Sequence, residues 1–129
     1  MSGAMPILPA QLVGNELLFR ALRSRAELDD KRRAFLLRND ERDTGLSVKY
    51  NCSSDDCENE FNKTYGVLSL IANQVANSGL GLNVIPDEAN HANITGVPHQ
   101  DDDFNRAMFI AGQLSSFALT VREGLRKRT

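Results

Sequence analysis

The most regular hydrophobic pattern in the chain runs through residues 101–128. Phe104, Ala107, Met108, Ala111, Leu114, Ala118, Val121 and Leu125 recur at steps of three and four, the repeat that puts one apolar stripe on a helix. Asp101, Asp102 and Asp103 precede the stripe, and Arg122, Arg126, Lys127 and Arg128 close it, as the helix dipole favours. The spacing predicts a long C-terminal amphipathic helix of about six or seven turns. Phe109, Ile110, Phe117 and Leu119 widen its apolar girth. A helix apolar over so much of its circumference is expected to bury one face in its own core and to offer Phe109, Ile110 and Phe117 to a second subunit.

Upstream the patterns are shorter. Residues 1–14 carry Gly and Pro without a period and read as a flexible leader. Residues 16–23 hold a short apolar run compatible with a strand or a helical turn. Ser24 and Glu27 stand at capping-box spacing, which predicts a short helix through Arg33. Residues 39–45 are polar and end in Gly45, a turn signal. Leu46, Val48 and Tyr50 alternate with Ser47 and Lys49, the pattern of a half-buried strand. Residues 51–62 read as an acidic loop. Phe61, Tyr65, Leu68, Ala72 and Val75 then follow helical spacing, although Gly66 interrupts it and residues 67–71 alone also suit a strand. Residues 82–85 and 91–96 read as strands around a turn at 87–90. The expected fold is α+β: a small β-sheet packed against two or three helices, forming a single domain over residues 15–129.

Composition narrows the function. With 129 residues, 41% hydrophobic and 25% charged, the chain has the size and balance of one globular domain. The net charge of −2 is unevenly spread, since residues 51–105 contain nine acids and only Lys63 as a base. Such a surface argues against a nucleic-acid partner. No apolar run approaches the ~20 residues of a membrane span. The amino terminus lacks the features of a secretory signal, and two cysteines make no disulfide framework, so a cytoplasmic location is expected.

The stretches Ala34-Phe35-Leu36-Leu37-Arg38 with Gly45-Leu46-Ser47-Val48, then Pro86-Asp87 with His91-Ala92-Asn93-Ile94-Thr95-Gly96, resemble a widespread group of small uncharacterised bacterial proteins. In that group a "FL-R…GLSV" block precedes an "HA-I-G-P" block. The resemblance covers roughly residues 29–122 and implies a closing helix through Ala107, Ala111, Leu114, Ala118 and Arg122. The group has no established activity, so a bacterial domain is implied but no reaction. The insert at residues 51–62 departs from the pattern.

Candidate chemistry is sparse. Cys52, Cys57, His91 and His99 are residue types that bind zinc, but their gaps suit a tetrahedral site poorly. No metal and no cofactor is expected. Acids around the two cysteines are expected to raise the thiol pKa values rather than activate either thiol. The aspartate triplet lacks the spacing of a calcium loop. Gly79-Leu80-Gly81 lacks the Lys-Ser/Thr of a phosphate loop. His91 is the best single candidate, with Ser47 and Thr95 able to share its sheet face and Arg38 as a further binding residue. The expected function is a small binding or accessory protein that self-associates or docks to a protein partner. The alternative is an enzyme with His91 as acid–base residue; the bland reading of His91 is a ring tying a turn to a strand.

Overall fold

The computed structural model describes residues 7–127, so residues 1–6 of the expected leader and Arg128 lie outside the described residues. Six antiparallel strands form one sheet in the order β4-β5-β2-β1-β3-β6. They are β1 (Leu17–Leu22), β2 (Leu46–Lys49), β3 (Lys63–Ile71), β4 (Asn83–Glu88), β5 (His91–Thr95) and β6 (Leu119–Lys127). The helices are α1 (Arg25–Asp29), α2 (Ser54–Glu58), α3 (Ala72–Ala76) and α4 (Phe104–Phe117), with 3-10 turns at Lys31–Phe35 and Asn39–Glu41. The α+β class holds. Within the expected leader, Leu12 is buried and its N–H bonds the Val84 carbonyl on β4 at 2.8 Å.

Alternation decides which sheet face meets the core. Leu18 and Leu22, Leu46 and Val48, Leu68 and Leu70, Val84, and Ala92 and Ile94 join Ile110, Ala111 and Leu114 of α4 in one buried cluster, with Phe35 from the first 3-10 turn. Burying such a set is the main favourable term for a domain of this size. The opposite face carries a smaller cluster of Phe19, Ala21, Val67 and Cys57, flanked by Cys52 and Phe61. Its outer portion, on β2, β4 and β5, is polar.

The long C-terminal helix is corrected. α4 has 14 residues and ends at Phe117; Ala118 turns extended (φ −75°, ψ 146°). Residues 119–127 instead form β6 along β3. Leu119, Val121 and Leu125 satisfy a two-residue period as well as the helical one, and β-branched Thr120 and Val121 fit a strand better than a helix. Arg122, expected on the closing helix, therefore lies on a strand. The helical spacing from Phe61 to Val75 fails similarly. Residues 63–71 form the long strand β3, with Gly66 at φ +147° against β6, where a Cβ would sit 2.5 Å from the Arg122 carbonyl oxygen. Only residues 72–76 of that stretch are helical. The expected 51–62 loop contains α2, opened by a Ser53–Asp56 capping box. The capping signal at Ser24 is half right: Ser24 accepts from the Glu27 N–H, but Glu27 turns back to the Arg23 N–H, and α1 stops at Asp29.

One polar cluster breaks the apolar rule of the core. Arg20 points to the core face of β1 and is 2% exposed. Its guanidinium donates to both Glu41 carboxylate oxygens at 2.7 and 2.9 Å and to the Ser47 carbonyl at 2.8 Å. The Ala34 carbonyl takes its Nε–H. Glu41 also accepts the backbone N–H groups of Arg38 at 2.9 Å and Ser47 at 2.8 Å. β1 and β2 meet in register only at Phe19 and Lys49. Beyond that point the Arg20–Glu41 pair fills the gap and takes both backbone groups of Ser47, a rung made from side chains.

Burial pushes the Glu41 carboxyl up, but the Arg20 guanidinium and the two backbone N–H donors outweigh it and hold the group below its ordinary pKa of 4.5. A depressed folded-state pKa gives stability that is present above the unfolded value and lost as pH falls through the folded one. Glu41→Gln removes the charge and leaves Arg20 buried and unpaired, so it is expected to cost ~3–5 kcal/mol. The acid-side loss of stability, followed by urea unfolding between pH 7 and 3, becomes shallower in the variant. An unchanged urea midpoint at pH 7 would show that the pair does not hold the fold.

Candidate functional site

The β2–β5 register places the chemistry. Ser47 stands opposite Asn93, and Lys49 opposite His91, so all four side chains share the polar face and Ser47 is a diagonal neighbour of His91. The Ser47 Oγ lies 2.6 Å from His91 Nε2. On the far side of the ring, His91 Nδ1 lies 2.6 Å from the Asp87 carboxylate, whose second oxygen accepts from the Asn93 amide at 3.1 Å.

Asp87 reaches the ring because of a bulge. Pro86 pairs with Ala92 and Glu88 with His91, which leaves Asp87 as the extra residue on an edge strand, where bulges re-aim side chains and Pro is tolerated. The two-residue turn Ala89-Asn90 separates β4 from β5. It is tied to the end of β2 by the Tyr50 N–H on the Asn90 carbonyl (3.2 Å) and the Tyr50 hydroxyl on the Glu88 carbonyl (3.1 Å).

Charge fixes the protonation pattern. Burial raises the Asp87 carboxyl, but hydrogen bonding and attraction from His91 and the Asn93 amide bring it below the ordinary carboxylate value. An ionised Asp87 can only accept, so Nδ1 carries a proton, and in the neutral ring Nε2 is then the nitrogen that accepts from the Ser47 O–H. Serine, histidine and aspartate thus stand in series as hydroxyl, imidazole and carboxylate, an arrangement able to activate a hydroxyl.

The relay opens into a cleft of about 440 Å³. Phe19, Ala21, Arg23, Ser47, Lys49, His91 and Asn93 line it together with Arg38, Asp40, Glu41, Thr44, Cys57, Glu60 and Phe61. Lys49 is bound to Glu60 at 2.6 Å.

Of the four residues singled out from sequence, His91 and Ser47 come together. Thr95 does not join them: it is four residues along β5 and bonds the Asn83 carbonyl at 3.4 Å. Arg38 borders the cleft but is committed to Glu27 (2.8 Å) and the Ala21 carbonyl (3.1 Å). Asp87 and Asn93 were missed. The available signal was an aspartate four residues before a histidine across a tight hairpin turn, informative only once the bulge is known. The expected interface separates too. Ile110 is fully buried, Phe117 packs on the core, and Phe109 alone is well exposed at 52%.

The zinc candidates stay apart. Cys57 belongs to the small apolar cluster, His91 to the relay, and His99 is buried where it receives the Asp101 N–H at 3.0 Å and contacts Arg42 and Asn39. Among the described residues no group of three or more His, Cys, Asp or Glu is placed to hold a metal. Also among them, no helix is long and apolar enough to cross a membrane. Both thiols are raised, with burial rather than the neighbouring acids as the largest cause, and Cys57 reaches about 12. Iodoacetamide at pH 8 is therefore expected to label Cys52 slowly in the native protein and Cys57 only after unfolding, readable by peptide mass mapping. Equal native labelling would contradict this burial. No family model, curated protein or solved structure matches this chain.

Proposed function

We propose that the protein is a small hydrolase that transfers an acyl group from an ester to water through Ser47. The observation that carries the reading is the pair of 2.6 Å contacts joining Ser47 to His91 and His91 to Asp87. In the first half-reaction Ser47 Oγ attacks the ester carbonyl carbon and His91 Nε2 takes the hydroxyl proton. The leaving alcohol departs with that proton, and the acyl group stays on Oγ. Water then attacks the acyl-serine, giving a proton to His91, which returns it to Ser47 as the acid leaves. Asp87 keeps the ring in the reactive tautomer and stabilises the imidazolium. Lys49, one side-chain step from Ser47 on the same face, supplies positive charge for the developing oxyanion.

Hydrolysis of 4-nitrophenyl esters tests the reading. Ser47→Ala and His91→Ala are each expected to lower kcat/KM about a hundredfold or more, and Asp87→Asn by at least tenfold, with little change in melting temperature. Loss of melting temperature without loss of turnover would return His91 to a purely structural role.

A second reading, self-association, is supported by the sheet edge. β6 is an outer strand of nine residues, and its Leu119, Val121 and Leu125 are 68%, 45% and 54% exposed. The opposite edge is blunted by Pro86 and by the Leu12 N–H on Val84. β6 also carries Arg122, Glu123, Arg126 and Lys127, but a long open edge with exposed apolar residues can recruit a further strand, and antiparallel pairing of two identical edges closes about a twofold axis. The occupant proposed is a second copy of this chain. Light scattering is expected to give a dimer that Val121→Lys converts to monomer; a monomeric parent protein at high concentration would end this reading.

A further inference from the structure

Three arginines line the cleft, and two are spoken for. Arg20 is locked to Glu41, and Arg38 is paired with Glu27. Arg23 differs. Its guanidinium lies 4.0 Å from the Phe61 ring centroid, and among the described residues it has no carboxylate or carbonyl partner. A guanidinium stacked on an aromatic face is held flat with its N–H edge open, the posture suited to bidentate binding of an oxyanion.

Arg23 and Ser47 line the same cleft. Arg23 directly follows β1, beyond the point where that strand parts from β2. Most acids around this space are already paired: Glu27, which accepts the Arg23 backbone N–H, is bound to Arg38. Glu60 is bound to Lys49, Glu41 to Arg20, and Asp87 to His91. Glu88 stands opposite His91, toward the other end. Among the described residues Asp40, on the 3-10 turn that borders the cleft, has no ion pair.

From this arrangement we infer that Arg23 selects the substrate: the cleft takes esters whose acyl chain ends in an oxyanion, bound by Arg23 while Ser47 attacks the carbonyl carbon. A monoester of a short dicarboxylic acid has the required pair of groups, an ester carbonyl and a terminal carboxylate. Arg23 touches the non-reacting end, so it sets specificity and does not take part in bond exchange. The inference rests on Ser47 as the nucleophile.

The test compares the mono-4-nitrophenyl ester of glutarate with 4-nitrophenyl valerate, which have the same chain length and differ in terminal charge. In the parent protein kcat/KM is expected to favour the anionic ester by tenfold or more. Arg23→Gln should bring the ratio close to one, and Arg23→Lys should keep part of it, because a point charge remains but the fork is lost. Binding is measured alongside on Ser47→Ala, with glutarate monomethyl ester and methyl valerate as probes. Hydrolysis of both esters without charge preference, or a preference that survives Arg23→Gln, overturns the inference and leaves the hydrolase reading standing. Arg23-dependent binding of the anionic probe without turnover of either ester keeps the anion site and removes Ser47 as nucleophile. Neither binding nor turnover overturns both.

Discussion

A guanidinium inside an apolar core is tolerable only if nearly all its donors are met, and Arg20 meets that condition through Glu41 and backbone carbonyls. The pair connects β1, both 3-10 turns and β2. Its deeper consequence is geometric. Where β1 and β2 part, Ser47 would expose an N–H and a carbonyl in a gap of the sheet, a costly defect in a buried region. Glu41 and Arg20 occupy the gap and satisfy both groups. The strands can therefore splay without losing hydrogen bonds, and Ser47 is held by its own backbone while its hydroxyl faces the cleft. An apolar pair of equal volume would fill the space yet leave those groups unmet, so the usual advantage of replacing a buried ion pair with hydrocarbon does not extend to this position.

The relay inherits its rigidity from the sheet. Ser47 and His91 are on paired strands, and their separation follows from register rather than from a mobile loop, the kind of support that holds a site within a fraction of an ångström. Asp87 is the exception, because it depends on one extra residue in an edge strand. Tyr50 compensates by pinning the adjoining turn through the Glu88 and Asn90 carbonyls. The core face and the cleft face of β2 thus divide the labour residue by residue: Leu46 and Val48 are buried, while Ser47 and Lys49 reach the cleft.

Much of this was legible where a pattern admitted one period. Residues 46–50 and 91–96 alternate cleanly, and both are strands. Alternation allows Ser47, Thr95 and His91 to share one face; the β2–β5 register is what brings Ser47 within reach and sends Thr95 elsewhere. The failures came where two periods coexist. Leu119, Val121 and Leu125 suit a helix of three- and four-residue steps and a strand of two, and pairing with β3 chose the strand. Phe61 to Val75 failed for the same reason, and Gly66, which interrupts the helical spacing, marks a close strand approach. Arg20 was invisible because a charged residue within an apolar run announces no partner; Glu41 lies in a polar turn twenty-one residues away.

For the hydrolase we propose, the clamp on Ser47 also limits the chemistry. Many acyl-transfer sites recruit backbone N–H groups beside the nucleophile to hold the tetrahedral oxyanion. Here the Ser47 N–H is occupied by Glu41, and Val48 is paired with Ala92 in the ladder. Stabilisation must then come from side chains. Lys49 is the cation on the same face; burial lowers its pKa, but the bond to Glu60 outweighs this and keeps it charged. An ammonium shared with a carboxylate stabilises an oxyanion less than a pair of fixed amides directed at it. The difference falls on the step where the leaving group is poor, so amides should be spared while esters with acidic leaving alcohols react. The filled gap between β1 and β2 would thereby confine the proposed hydrolase to easier acyl transfers.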